Sequence, residues 1–98
     1  MADAKKRIQV NPLELTARIE ILFMAMTGKD TPIGAKEWLA REFGVSDKTV
    51  RRFCSGDRLP PPMFMLLLGY VEEHDSSERM LDEAQARRTA YYEKRGGG

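Results

Sequence analysis

A chain of 98 residues has length for one small domain and not for two comfortable cores. Hydrophobic residues make up 42% and charged residues 32%, which excludes the low-hydrophobicity, high-charge composition of a disordered chain. A formal net charge of +1 leaves any partner to be read from local charge, and the single cysteine, Cys54, excludes an internal disulfide framework and a multi-cysteine zinc site.

Residues 1–10 lack periodicity and read as a flexible arm whose basic cluster, Lys5, Lys6 and Arg7, serves either as a solubilising tail or as a contact to a DNA phosphate or the minor groove. No apolar leader core follows these cations, because Glu14, Arg18 and Glu20 interrupt the next stretch, and a cytoplasmic protein is expected. Asn11-Pro12 is a helix start: Asn accepts from free N–H groups, Pro suits the first helical position and Glu14 favours the positive end. A helix over about 12–27 follows, with Leu15, Ile19, Leu22, Phe23 and Met26 on one core-facing stripe and Gly28 as its stop.

Thr31-Pro32 repeats the cap-then-proline grammar and predicts a second helix ending at Phe43 or Gly44. Ser46 caps a third that runs to about Ser55, where Gly56 closes it and Pro60-Pro61-Pro62 prevents continuation. A fourth helix is expected over about 62–74. After Asp75-Ser76-Ser77 a fifth is expected from about Glu78 to Lys94, with Gly96-Gly97-Gly98 as a mobile tail. No segment alternates at strand period, so the fold class is all-α, a compact five-helix bundle. Residues 11–75 form its domain, and residues 76–95 form a C-terminal helix for dimerisation or partner contact.

The stretch Lys36 to Ser55 carries the functional signal. Ala40 is small where its two helices approach, Leu39 and Phe43 form the inner face of the first, and Gly44 permits a sharp exit. Val45 plugs the turn, and Val50 with Phe53 forms the inner face of the second helix. On a helical wheel Lys48, Arg51, Arg52 and Ser55 fall opposite Val50 and Phe53, flanked by Asp47 and Thr49. An outward face of this kind suits the major groove, where Arg and Lys donate to guanine O6 and N7 and a carboxylate accepts from cytosine N4. Lys48, Arg51 and Arg52 are the base-reading candidates, with Asp47 and Thr49 beside them.

The stretch resembles the helix-turn-helix of the lambda-repressor-like, or Xre-type, DNA-binding domains over about residues 12–74. It does so through Ala40, Gly44, Val50 and Phe53, followed by Ser55-Gly56, a proline-bearing loop and another apolar helix. The resemblance implies that Asp47, Lys48, Thr49 and Arg52 read bases while Lys36, Ser55 and Arg58 touch phosphate. The longer loop between the first two helices and the charged C-terminal helix depart from the family's pattern.

Several residues have plainer readings. Trp38 suits core packing better than base stacking, Cys54 a small apolar role better than a redox switch, and His74 an interaction with a helix dipole. The apolar run from Met63 to Val71 covers more than one stripe, so Met63, Phe64, Leu67 and Tyr70 are expected at a homodimer or partner interface. No nucleophile–base pair, phosphate loop or metal cluster stands at a motif spacing, so neither an enzyme nor a cofactor or metal is expected. The expected partner is double-stranded DNA, bound by a nucleoid-associated transcriptional regulator. The alternative is an adaptor or antitoxin-like protein that uses the same fold to contact RNA polymerase or another regulator.

Overall fold

The computed structural model describes residues 10–96, which form five α-helices and no strand. The basic cluster Lys5, Lys6 and Arg7 therefore lies outside the described residues. None of the helices is long and apolar enough to cross a membrane.

α1 (Pro12–Thr27) opens as its sequence dictates: the Asn11 side-chain oxygen accepts from the backbone N–H of Leu13 at 2.8 Å and of Glu14 at 3.3 Å. It packs against α2, α3 and α5 and is buried around more of its circumference than one stripe. Met24 is fully buried off the expected stripe, whereas Met26, expected in the core, is 38% exposed. A helix with neighbours on several sides has no single inner face, and the uncharged stretch from Ile21 to Thr27 reflects this.

α2 (Ala35–Phe43) begins three residues later than Thr31-Pro32 predicts. Gly34 holds a left-handed φ of 92°, which interrupts a right-handed path, and the Ala35 N–H donates to the Pro32 carbonyl at 3.1 Å. Pro32 thus belongs to a tight turn. The first helical bond runs from the Trp38 N–H to the Gly34 carbonyl at 2.9 Å.

α3 (Asp47–Ser55) contributes Val50, Phe53 and Cys54 to the core. α4 (Pro62–His74) inserts Phe64 edge-on between Phe43 and Phe53, at ring-centroid distances of 5.3 and 4.9 Å. Phe64 is only 6% exposed, so its expected place at an interface is corrected: the aromatic cluster has claimed its side chain. Arg18 of α1 ties α4 down through a two-pronged ion pair with Glu72, at 3.0 and 2.6 Å. This carboxylate raises the already high pKa of Arg18 by accepting its hydrogen bonds.

α5 (Glu78–Gly96) runs through Gly96, so that glycine ends a helix rather than starting a tail. It is packed into the domain, with Ala84 fully buried against α1. α1 has no basic residue in its last turn; Arg87 of α5 supplies one, donating to the Met24 carbonyl at 2.9 Å and the Lys29 carbonyl at 3.4 Å. Further along, Glu20 is 7% exposed and accepts from Arg88 at 2.7 Å and from the Tyr92 hydroxyl, which lies 2.9 and 3.0 Å from its two oxygens. A buried carboxylate is tolerable only with such partners.

Candidate nucleic-acid interface

The turn between α2 and α3 is closed from both sides. The Val45 N–H reaches back to the Ala40 carbonyl at 3.0 Å and the Gly44 N–H to the Arg41 carbonyl at 3.4 Å, the paired bonds of a Schellman ending. Gly44 can make them because its φ of 70° lies where a β-carbon is strained. One residue beyond Val45, the Ser46 hydroxyl accepts from the Thr49 N–H at 3.1 Å and pairs with the Thr49 hydroxyl at 2.8 Å. These bonds leave a connection of Gly44, Val45 and Ser46. Val45, expected to plug it, stands partly exposed.

From this turn α3 divides along its length. Val50, Phe53 and Cys54 are buried, whereas Asp47, Lys48, Arg51, Arg52 and Ser55 are exposed and Thr49 is half-buried. Burial pushes the Cys54 thiol pKa up, against smaller opposing effects of Thr16 and Lys36, so the group stays a neutral thiol within the core.

The exposed face is not uniformly cationic. The Arg51 side chain is 53% exposed, yet its Nη2 donates to a carboxylate oxygen of Glu37 on α2, and its Nε lies 3.7 Å from Asp47 Oδ2. Lys48, Arg52 and Arg58 make no ion pair among the described residues. A shallow depression of about 210 Å³ brings Lys36, Glu37 and Arg51 together with Ile33 and Gly34. The fold therefore places Lys36, at the first turn of α2, beside the middle of α3. Arg58 stands in the loop beyond α3, and its N–H bonds the Arg52 carbonyl at 3.3 Å. The Ser55 hydroxyl is already engaged in ending α3, donating to the Arg52 carbonyl at 3.1 Å and accepting from the Asp57 N–H at 3.4 Å. Glu37 drew no attention in the sequence. Its pairing crosses the turn and depends on the rotation of α2 about its own axis relative to α3, which no local pattern encodes.

A second surface is apolar. On α4, Met63, Leu66 and Tyr70 are strongly exposed and Leu67 partly so, at the three- and four-residue spacings of one helical face. Next to it lies a groove of about 280 Å³ lined by Met26, Trp38, Phe43, Leu67, Tyr70 and Val71, with Glu42 and Asp75 at its rim. Trp38 is half-buried here and meets Phe23 edge-on at 5.8 Å, while His74 lies 4.2 Å from the Tyr70 ring.

In comparisons with known proteins the chain matches no family model, no curated protein and no solved structure.

Proposed function

We propose that this chain is a sequence-specific regulator of transcription that binds double-stranded DNA through a helix-turn-helix of the lambda-repressor-like kind, made by α2, the turn 44–46 and α3. The observation that carries the reading is the division of α3: an apolar side locked into the core and an outer side that offers Lys48, Arg51 and Arg52 to solvent. An α-helix with such an outer side fits the major groove, and cations there donate to guanine O6 and N7. Lys36 and Arg58 flank it at positions suited to phosphate, with Asp47 and Thr49 at the base-facing end and the exposed Ser55 hydroxyl exchanging the Arg52 carbonyl for a phosphate oxygen.

Two copies pair through the exposed face of α4, and the dimer sets two α3 helices about one helical turn apart, on half-sites separated by roughly 10–10.5 base pairs. The protein is then cytoplasmic and associated with the nucleoid. The apolar groove beside α4 favours one further reading, an adaptor or antitoxin-like protein that holds RNA polymerase or another regulator there.

Selection of bound duplexes from a random pool tests the proposal. A regulator enriches a short motif, and Arg52→Ala then weakens binding to that motif by about 1–3 kcal/mol and relaxes preference at one position. Recovery of no motif, or unchanged affinity for the Lys48→Ala, Arg51→Ala and Arg52→Ala chains, defeats it.

A further inference from the structure

We infer that Glu37 is a positioning residue for Arg51, holding its guanidinium so that the outer edge reads one guanine; the inference rests on the DNA-binding reading above. An exposed arginine ordinarily samples many rotamers, and contact with a base must first freeze them. Here the freezing is done in the free protein. Glu37 on α2 accepts from Nη2 and Asp47, one turn earlier on α3, lies 3.7 Å from Nε, so carboxylates from two elements face the side chain.

The geometry also says which part of the group stays available. A guanidinium carries five N–H bonds in one plane, arranged as two pairs of parallel donors and a fifth. The edge formed by Nε and Nη2 faces the carboxylates. Nη1 makes no hydrogen bond among the described residues, and with the second N–H of Nη2 it forms an end-on pair of parallel donors. Guanine O6 and N7 present the complementary pair of acceptors in the major groove.

A carboxylate on a DNA-facing surface repels phosphate at every sequence alike. Glu37 is half-buried near Lys36 and Arg51, close enough to that surface to exact this cost. Its presence is accounted for if it sacrifices general affinity for orientation of one reader. Asp47 has the further role of an acidic residue in the first turn of α3, where the helix dipole favours it, so Glu37 isolates the effect better.

The test uses the full chain and a motif enriched by the wild type. Wild type, Glu37→Gln and Glu37→Ala are each measured against that duplex, against duplexes substituted at the position whose preference Arg51→Ala abolishes, and against an unrelated duplex. Expected for both Glu37 variants is roughly a tenfold loss of guanine preference at that single position, together with severalfold tighter binding to the unrelated duplex. Thermal midpoints stay within a few degrees of wild type, since the pair is solvent-exposed. In an Arg51→Ala background, Glu37→Gln leaves base preference where it was. Retained or sharpened guanine preference in Glu37→Gln and Glu37→Ala overturns the assignment, as does an Arg51→Ala chain that keeps all preferences. A wild type that enriches no motif sinks the DNA reading itself, a result distinct from either.

Discussion

Glu20, Arg88 and Tyr92 put an ionic group where α1 and α5 meet, and that choice makes stability sensitive to single atoms. Removing one partner from a largely buried pair leaves the other charge uncompensated. Arg88→Met is accordingly expected to lower unfolding free energy by about 3 kcal/mol in urea titrations, more than a surface arginine contributes. Tyr92 gives the pH dependence. Burial, then the hydrogen bond to Glu20 and its negative charge, raises the phenol pKa in the folded protein. A raised folded pKa contributes stability that is fully present below the unfolded value, about 10, and is lost as pH rises through the folded one. Tyr92→Phe should therefore flatten the decline of stability above about pH 10, while lowering stability at neutral pH because Glu20 loses a donor. None of this was legible in the sequence. Glu20 read as a charge interrupting an apolar stretch, and its two partners lie 68 and 72 residues away.

Helix ends explain which elements could be read in advance. Asn11, Ser46, Gly44 and Gly56 act through bonds to residues a few positions away, so α1, α3 and the end of α2 fall where local chemistry places them. Thr31-Pro32 has the same grammar yet starts no helix, because the left-handed Gly34 between it and Ala35 forces a turn. Phe64 shows the complementary limit. Periodicity marked the α4 run as wider than one stripe without saying which member would enter the aromatic cluster with Phe43 and Phe53. The division of α3 into buried and exposed sides was legible, whereas the clamp of Glu37 on Arg51 depended on the crossing of two elements. At this scale Gly44→Ala is the sharp test. A β-carbon at φ of 70° is expected to cost about 1–2 kcal/mol by denaturant titration, with none of that loss from packing, since a methyl group there meets open space.

The molecule as a whole buries α1 among α2, α3 and α5 and leaves one broad apolar face, on α4. Leu66, 68% exposed, lies on that face without lining the groove and gives a clean probe of pairing. If two copies associate there, sedimentation at micromolar concentration shows a dimer, and Leu66→Lys shifts it to monomer while the chain keeps its helical content. A monomeric wild type, or a Leu66→Lys chain that remains dimeric, removes α4 from the dimer proposal.

The grip of α5 on α1 also orders events during synthesis. Glu20 leaves the ribosome long before Arg88 and Tyr92 have been added, so a growing chain presents α1 with its carboxylate unanswered and its final carbonyls without Arg87. A domain folds as a unit, and this core lacks one wall until α5 has been added. The earlier helices wait, partly formed, until residues 78–96 have been added.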